Sequence, residues 1–300
     1  MVSSPPIQWY PGHIAKAERS LKEQLNRVDL VLEVRDARIP QASAHPQVHR
    51  WIGEKPRILI LNRMDLITTA ARDQWREYFK QRNETPFFTD AQAGKGIQNV
   101  IKASQAAGRK LNERRKQRGM LPRPVRAVVL GFPNVGKSAL INRLLKRKIA
   151  ASARKPGVTR QLRWIRVSKE IELLDAPGVL PAKLEDQEAA YRLAMCDDIG
   201  QAAYENQLVA AQLIEKIQHV EEYCDVIPDY VPEGAIQLRY ELSPEPYQGD
   251  EYITALAAMK YQGDVERTAH KILTDFRKGN LGAIALEIPA SSDLSSSLHN

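Results

Sequence analysis

The sequence predicts an α/β domain of three layers, with a parallel sheet between helices, followed by a smaller all-helical domain. Three observations support this architecture. Short apolar segments alternate with longer amphipathic ones over residues 1–185, which is typical of strands joined by crossover helices. A glycine-rich loop lies between one apolar segment and a segment with helical spacing. From residue 187 onward the pattern is helical, so we expect a second domain there.

The predicted strands are short and apolar, and the predicted helices are longer and amphipathic. The strands cover residues 29–34, 57–62, 86–89 and 126–130, followed by a hairpin at 165–167 and 171–174. Apolar spacing predicts helices at 71–81, 97–111, 137–145, 201–223, 251–261 and 264–278. These elements predict an α/β domain over 1–185, a helical domain over 186–288 and a disordered serine-rich tail over 289–300.

Composition excludes several classes of protein. The chain has 300 residues, of which 27% are charged and 43% hydrophobic, so it is neither wholly disordered nor a disulfide-rich miniprotein. Its two cysteines, Cys196 and Cys224, provide no metal-binding spacing. The apolar runs are far shorter than the ~20 residues of a membrane-spanning helix. The N-terminus lacks the basic and apolar regions of a secretory signal. We therefore expect a cytoplasmic protein without a membrane partner.

Charge is distributed unevenly along the chain. Residues 1–182 carry 35 Lys/Arg and 15 Asp/Glu, whereas residues 183–300 carry 9 and 21. Within the basic part, residues 142–169 carry ten Lys/Arg and no acid. Residues 109–126 carry eight Lys/Arg against one acid, with a glycine and two prolines, which predicts a solvated connector. A basic field of this size favours a nucleic-acid partner, although attraction between the two halves of the chain would also explain it.

One loop has the pattern of a phosphate-binding site: G-F-P-N-V-G-K-S at 131–138 matches G-x-x-x-x-G-K-[ST]. It lies between a predicted strand and a predicted helix, which is the context that this motif requires. Glycines let backbone N–H groups close around phosphate oxygens, and the helix N-terminus adds positive charge. We expect Lys137 to reach the β- and γ-phosphates and the Ser138 hydroxyl to bind Mg²⁺.

Two further segments suit a γ-phosphate site. D-A-P-G at 175–178 follows a predicted strand, so Asp175 would hold Mg²⁺ through water and the Gly178 N–H would meet the γ-phosphate. Thr159 lies between this segment and the phosphate loop. Its position leaves two interpretations open: a switch threonine that closes over Mg²⁺ and the γ-phosphate, or a threonine of an ordinary turn.

Another pair of segments suits the recognition of guanine. N-R-M-D at 62–65 follows a predicted strand, and Asp65 would accept hydrogen bonds from the N1 and N2 groups of guanine, a donor pair that adenine lacks. Asn62 would support the base edge. Ala91, which follows the next strand, would donate its N–H to the guanine O6. The alternative for Asp65 is a simple helix N-cap.

These segments, in this order, resemble those of a circularly permuted Era-like GTPase of the YlqF/RbgA ribosome biogenesis family. In ordinary GTPases the base-recognition segments come last, whereas here they precede the phosphate loop. I-Q-W-Y-P-G-H-I-A-K-A at 7–17 and D-A-R-I-P at 36–40 are similar to the opening motifs of that family. The predicted helix at 264–277 with G-N-L-G at 279–282 is similar to the end of its helical domain. The resemblance covers roughly residues 7–288.

The resemblance implies a three-layer P-loop GTPase domain, circularly permuted, that is slow alone and stimulated by ribosomal subunits. It implies a monomer that acts in late maturation of the large (50S) subunit through contact with ribosomal RNA. The implied GTP or GDP ligands are Asn62, Arg63, Asp65, Ala91, Asn134, Val135, Gly136, Lys137, Ser138, Ala139, Thr159, Asp175 and Gly178. Ser138 and Thr159 would bind Mg²⁺ directly, and Lys137 and Thr159 would act in catalysis together with His13.

Several positions bear on that resemblance. Arg63 stands where the family usually has Lys, and its stem can pack beside the base in the same way; Asp90 replaces a common Ser. Val179 follows the D-A-P-G segment where Ras-like enzymes have a water-orienting Gln. His13 is the family's proposed substitute, and its alternative is a histidine that holds a turn. Asn134 accompanies K⁺ in related GTPases, and its alternative is an asparagine that fits a tight loop.

Two other functions stay open: a GTPase that acts on the small subunit, and a nucleotide-gated RNA-binding scaffold with negligible turnover. The helical domain of the family is thought to bind RNA, yet its region is acidic here. The RNA contact would then come from the GTPase domain or from a local basic face, with a protein contact by the acidic face as the alternative. That local face would consist of Arg267, Lys271, Arg277 and Lys278.

Overall fold

The computed structural model describes residues 7, 21, 23–145, 163–167, 170–175, 185–200 and 203–290. A six-stranded sheet lies at its centre, formed by β1 (Leu30–Asp36), β2 (Arg57–Asn62), β3 (Phe87–Thr89), β4 (Val125–Leu130), β5 (Arg163–Arg166) and β6 (Ile171–Asp175). The order across the sheet is β3-β2-β1-β4-β6-β5. Neighbouring strands are parallel except β5 and β6, which form the expected antiparallel hairpin.

The central strands are buried on both faces. Every residue of β1 is buried, which is typical of a parallel sheet covered by helices on both sides. Glu33, in the middle of β1, bonds to Arg35 at 2.7 Å and also pairs with Arg57 of β2, so its charge is balanced inside the fold. Because β1, β2, β3, β4 and β6 run in one direction, their carboxyl ends meet at one edge of the sheet, where the loops with the predicted motifs begin.

Nine α-helices lie in the described part of the chain. They are α1 (Val48–Ile52), α2 (Thr69–Gln81), α3 (Ile97–Gln117), α4 (Lys137–Leu144), α5 (Gln187–Met195), α6 (Asn206–Glu222), α7 (Ala235–Tyr240), α8 (Gly249–Lys260) and α9 (Val265–Lys278). The six predicted helices are confirmed with shifted ends. Helices α1 and α7 are too short to show a helical period, and α5 lies at the predicted domain junction. None of these helices is both long enough and apolar enough to cross a membrane.

The basic stretch 109–126 is not a connector, and that expectation is wrong. Helix α3 continues to Gln117 because Lys and Arg are good helix formers, and three cations in its last turn suit the helix dipole. Only residues 118–124 join α3 to β4. Asn112 fixes this loop, since its side chain donates to the Arg123 carbonyl oxygen at 3.1 Å and accepts from the Arg123 N–H at 3.2 Å.

The helices after residue 186 pack mainly on one another, with α6 against both α8 and α9. Helix α9 begins where the Asp264 side chain accepts from the Arg267 N–H at 2.9 Å and ends at Gly279, whose φ is +75°. Its buried face consists of Thr268, Ala269, Ile272, Leu273, Asp275 and Phe276. The α/β fold with a helical second part is therefore confirmed. The boundaries 1–185, 186–288 and 289–300 stay predictions, and residues 291–300 lie outside the described residues.

The two parts are joined at the loop that follows β1. The Leu286 N–H donates to the Arg38 carbonyl oxygen at 2.9 Å. The buried carboxylate of Glu287 accepts from the N–H groups of Gln41 and Ala42 at 2.7 and 2.8 Å. Because apolar residues from both parts also belong to one core cluster, the loop after β1 and the end of the helical part hold each other in place.

Candidate functional site

The motif at 131–138 forms the loop between β4 and α4, at the carboxyl edge of the sheet. Two of its glycines have no room for a side chain. A Cβ on Gly131 would lie 2.2 Å from the Val34 carbonyl oxygen, and one on Gly136 would lie 2.1 Å from Asn62 Nδ2. Their φ values of +152° and +99° also favour glycine. The loop therefore packs directly on the ends of β1 and β2.

Lys137 begins α4, and its buried side chain turns back into the loop. Its Nζ donates to the carbonyl oxygens of Phe132 at 2.6 Å and Gly131 at 3.2 Å. A phosphate oxygen would be a stronger partner for this ammonium than a neutral carbonyl group. Ser138 and Ala139 follow and are half-buried. Because the first N–H groups of a helix lack partners within it, this turn can bind an anion.

Asn62, at the end of β2, connects two loops of the candidate site. Its Nδ2 donates to the Val135 carbonyl oxygen of the phosphate loop at 2.8 Å. Its Oδ1 accepts from the Thr89 hydroxyl and from the Ala91 N–H, both at 3.0 Å. The Ala91 N–H, expected to face the guanine O6, is thus bonded to Asn62 in this structure. One buried amide holds the loop at 90–96, which we call the base-recognition loop after its expected role, against the phosphate loop.

The base-recognition loop after β3 has a defined shape. The Asp90 carboxylate accepts from the N–H groups of Gln92 at 3.0 Å and Ala93 at 2.9 Å, so the residue that replaces a common Ser stabilises the turn. Arg143 of α4 holds the same loop from outside, because its Nε donates to the Ala91 carbonyl oxygen at 3.1 Å and its guanidinium also bonds to the Gln92 carbonyl oxygen. The sequence analysis does not find Arg143, which lies far from this loop in the chain.

Asp65 lies in a short 3₁₀ helix (Met64–Leu66) directly after β2 and is exposed, although its carboxyl group is partly desolvated. Burial raises the pKa of its carboxyl group, and the nearby charge of Asp90 raises it further. Donors that bond to the carboxylate would lower that pKa again. The N1 and N2 groups of guanine are a donor pair of this kind, so the position suits the role that the sequence predicts.

Arg63 links three parts of the fold rather than only packing beside a base. Its φ is +65°, which turns the side chain away from the line of β2. One guanidinium nitrogen donates to Asp36 Oδ2 at 2.5 Å, and the other donates to the Asn134 carbonyl oxygen at 2.5 Å. The first nitrogen also reaches the Cys196 carbonyl oxygen, at 3.3 Å, just after α5. Arg63 therefore contacts the end of β1, the phosphate loop and the helical part.

A buried charge cluster surrounds this contact. Arg38 donates to both carboxylate oxygens of Asp36 at 3.0 and 2.7 Å. Burial disfavours the Asp36 charge, but the charges of Arg38 and Arg63 outweigh burial and lower the pKa of Asp36 to about 2. The pKa of Asp198 is shifted in the opposite direction. Burial and then the Asp36 charge raise its pKa well above the usual value, and its Oδ2 has no hydrogen-bond partner among the described residues.

Asn134 of the phosphate loop contacts the helical part directly. Its side-chain nitrogen donates to the Asp197 carbonyl oxygen at 2.7 Å, in the turn that follows α5. Its backbone carbonyl accepts from Arg63. A shift of the phosphate loop would therefore act on residues 196–198 through two hydrogen-bonded routes, and the sequence analysis finds neither of them.

The remaining candidate residues are those that the sequence analysis expects on the γ-phosphate side. Backbone pairing aligns Asp175, at the end of β6, with Val129 near the end of β4, so the D-A-P-G segment begins next to the strand that leads to the phosphate loop. His13, Thr159, Gly178 and the side chain of Asp175 lie outside the described residues. Among the residues that the structure does describe, no cluster of three or more His, Cys, Asp or Glu side chains could hold a metal ion.

Comparison with known proteins gives consistent results. A family described as "50S ribosome-binding GTPase" matches residues 126–239. The chain is 36% identical over 294 residues to ribosome biogenesis GTPase A of Priestia megaterium, covering 96% of this chain and 98% of that protein. It is also 36% identical to the protein of that name from Bacillus cereus, covering 94% of each chain. A GNP-bound YlqF structure from T. maritima has a TM-score of 0.60 at 23% identity and covers 92% of this chain and 99% of its own.

Proposed function

The chain belongs to the ribosome biogenesis GTPase A family, and we propose that it binds GTP at the carboxyl edge of its sheet during late maturation of the large ribosomal subunit. It is a guanine-nucleotide-dependent GTPase of ribosome biogenesis. The observation that carries the site is the Asn62 side chain, which bonds to both the phosphate loop and the base-recognition loop. One residue sets the distance between the places where the base and the phosphates would bind.

We assign guanine recognition to Asp65, with Asn62 and Arg63 as the residues that position it. When guanine binds, the Ala91 N–H would donate to the guanine O6, either in place of the Asn62 Oδ1 or in addition to it. The phosphates would be held by the backbone and side chains of Asn134, Val135, Gly136, Lys137, Ser138 and Ala139. Support comes from the close packing of the loop at Gly131 and Gly136 and from the buried Lys137 ammonium.

Mg²⁺ would be bound by the Ser138 hydroxyl, by Thr159 and, through water, by Asp175. These are hard oxygen donors, which Mg²⁺ prefers, and Mg²⁺ is usually held by few protein ligands together with phosphates and water. Bound there, it would neutralise charge on the β- and γ-phosphate oxygens. Ser138 follows Lys137 in the first turn of α4, so both would approach the same phosphates. The Gly178 N–H would bind the γ-phosphate.

The attacking water needs an orienting group, because Val179 cannot hydrogen-bond to it. We propose His13 for this role, since an imidazole can orient or activate water near neutral pH. We also propose that K⁺ binds beside the phosphates with the Asn134 side-chain oxygen as a ligand, which would stabilise negative charge in the transition state. The orientation of this amide by Asp197 supports the second proposal. Potassium-dependent turnover that is lost in Asn134→Ala would support it, and equal turnover in Na⁺ and K⁺ would contradict it.

We propose that the partner of this chain is the large ribosomal subunit. We also propose that the chain acts in the cytoplasm and as a monomer. The family that matches residues 126–239 is described as 50S ribosome-binding, and relatives over nearly the whole chain are named for ribosome biogenesis. The contacts of Asn134 and Arg63 with residues 196–198 support a role for the helical part in reporting the nucleotide state. Subunit binding would stimulate an otherwise slow GTPase.

Co-sedimentation with purified subunits tests this proposal. The chain with a non-hydrolysable GTP analogue should bind large subunits more tightly than with GDP, by the ~1–3 kcal/mol typical of allosteric coupling. Thr159→Ala should abolish the difference and leave binding with GDP intact, because it removes contacts that Thr159 would make only when the γ-phosphate is present. Preference for small subunits would favour the small-subunit GTPase instead. Subunit binding without stimulated phosphate release would favour a nucleotide-gated scaffold.

A further inference from the structure

The exposed end of α3 carries cations that the nucleotide site does not use. They are Arg109, Lys110, Arg114, Arg115, Lys116 and, just past the helix, Arg118. Arg115 is half-buried, the other five are exposed, and Glu113 is the one acid among them. We call these six cations the α3 basic surface.

No ion pair between described residues accounts for this charge. In the parts of the chain that the structure describes, none of the six cations takes part in an ion pair, whereas nearby Arg123 pairs with Asp29 at 2.7 Å. The helix dipole favours cations only in the last turn, so it does not explain Arg109 and Lys110 farther back. Attraction to the acidic helical part does not explain the cations either, because no described acid there pairs with them.

The α3 basic surface is held rigidly against the sheet. A Cβ on Gly108 would lie 2.8 Å from a Val125 methyl carbon, so α3 packs closely on β4. The loop after α3 is fixed by Arg115, whose Nε donates to the Leu121 carbonyl oxygen at 3.2 Å, and by the paired bonds between Asn112 and Arg123. The Leu121 side chain is 84% exposed at the tip of this loop. A rigid array of cations loses less conformational entropy when it binds.

A cavity of about 260 Å³ lies beside these cations, between α3, the following loop and the start of β4. Its lining includes Gln105, Asn112, Pro122 and Glu170. A cavity of about 150 Å³ accommodates benzene, so this one has room for a nucleobase. The Asn112 amide is bonded to Arg123, but the Gln105 amide in the same lining suits the edge of an unpaired base, which is the feature that proteins read in single-stranded RNA.

The basic face expected on α9 is a weaker candidate, because two of its four cations have internal roles. The Arg277 guanidinium donates to the carbonyl oxygens of Ala194 at 2.7 Å and Met195 at 3.0 Å. Lys271 pairs with the buried Asp275 at 2.7 Å. The Arg277 contacts bind α9 to the end of α5, and the Lys271 pair lies within α9, so both cations have charge that is already used inside the fold.

We propose that the α3 basic surface binds the phosphate backbone of ribosomal RNA and that the adjacent cavity receives an unpaired base. This inference rests on the proposed function, which brings the chain to the ribosome. Helix α3 begins next to the base-recognition loop, but its basic end lies at the opposite edge of the sheet, beside Val125 at the start of β4. Binding there should therefore add the same affinity in the GTP and GDP forms.

Paired charge reversals test this surface. Arg114→Glu with Lys116→Glu is compared with Arg50→Glu with Lys80→Glu, which makes the same change of charge at exposed cations of α1 and α2. Binding to deproteinised large-subunit RNA is measured over a range of salt concentrations. We expect the α3 variant to bind roughly tenfold to a hundredfold less tightly, with a salt slope smaller by about 1.5 for two lost phosphate contacts. The control variant and intrinsic GTP hydrolysis should stay at wild-type values.

Several outcomes would overturn the inference. Equal losses of RNA affinity in the α3 variant and the control variant would show that the overall positive charge attracts RNA without a specific site. Loss of binding to whole subunits but not to deproteinised RNA would identify a ribosomal protein as the partner. Equal competition by unstructured and fully paired RNA would remove the role of the cavity. If the reversal variant unfolds on thermal melting, Arg114→Gln with Lys116→Gln replaces it. Wild-type chain that binds neither subunit would instead contradict the proposed function itself.

Discussion

The side-chain nitrogen of Asn62 lies 2.8 Å from the carbonyl oxygen of Val135, and this bond joins the end of β2 to the phosphate loop. The same amide accepts from Thr89 and Ala91 in the base-recognition loop. Because Asn62 is 4% exposed, water cannot readily replace these bonds. The shape of the proposed nucleotide site thus depends on one side chain that need not contact the phosphates.

Asn62→Ala should therefore weaken GTP and GDP binding together. Each buried group left without a partner costs ~1–3 kcal/mol, so we expect roughly tenfold to hundredfold lower affinity for both nucleotides. Equilibrium binding of fluorescent GTP and GDP measures the effect. Asn99→Ala, at an exposed position of α3, is the matched control and should bind normally. Unchanged affinity in Asn62→Ala would contradict the bridging role.

Asp65→Asn should change which base is preferred. An amide offers one donor and one acceptor where the carboxylate accepts two hydrogen bonds, and this pattern complements xanthine. Sites built on buried hydrogen bonds discriminate strongly, so we expect a shift of roughly a hundredfold or more from GTP toward XTP. Competition assays with GTP, XTP and ATP measure it. Binding of ATP as tightly as GTP by the wild-type chain would show that the base assignment is wrong.

Lys137→Ala and Ser138→Ala should each abolish most hydrolysis, for different reasons. The first removes the charge near the β- and γ-phosphates, and the second removes a Mg²⁺ ligand. Loss of a group that stabilises the transition state typically costs ~10²–10³-fold in rate. The two causes are distinguished by measuring phosphate release at saturating GTP and at several Mg²⁺ concentrations. Only the rate of Ser138→Ala should recover partly at high Mg²⁺. Wild-type turnover in both variants would refute the phosphate-loop assignment.

His13→Ala should leave GTP affinity unchanged and reduce turnover stimulated by large subunits. A group that orients or activates water contributes ~10²–10⁴-fold, and the fall should lie within that range. The readouts are nucleotide affinity and single-turnover hydrolysis on the same preparation. An unaltered stimulated rate would assign His13 to the alternative interpretation, a histidine that holds a turn.

Asp36→Asn and Asp198→Asn should have very unequal effects on stability. Asp36 carries a charge at neutral pH that Arg38 and Arg63 both require, so its removal should cost ~3–5 kcal/mol of unfolding free energy. Burial and the Asp36 charge already favour the neutral form of Asp198, so Asn should change that free energy by less than about 1 kcal/mol. Chemical denaturation at neutral pH measures both. Equal losses of unfolding free energy in the two variants would contradict the assignment of a charged Asp36 and a neutral Asp198.

The predicted residues of the nucleotide site follow from local sequence patterns, whereas the contacts between their loops do not. The spacing of glycines before Lys137 and Ser138 needs only one loop between a strand and a helix. The positions of Asn62 and Asp65 need only the end of one strand. By contrast, Arg143 reaches Ala91 from about fifty residues away, and Asn134 reaches Asp197 from 63 residues away. The periodicity of apolar residues predicts helices and strands, but it does not predict contacts between such distant residues.

The basic segment after residue 109 shows the limit of composition as a guide. Its charge density and prolines predict a connector, but the Lys and Arg residues of the segment are good helix formers and α3 continues to Gln117. The same local rules succeed for α9, where an N-cap aspartate, a regular apolar face and a final glycine all agree. Local signals decide an element when they agree, and tertiary packing decides it when they conflict.

The sequence by itself determined the α/β class, the permuted order of the motifs and the family, and it predicted the residues of the nucleotide site, because each motif is encoded within a few neighbouring residues. Only the tertiary structure decided which side chains connect the motifs to one another. It brought Asp36, Arg63 and Asp198 into one buried cluster and placed Asn134 against the helical part. The physical reason is that burial makes a charge depend on every partner around it, and those partners come from segments that only folding brings together.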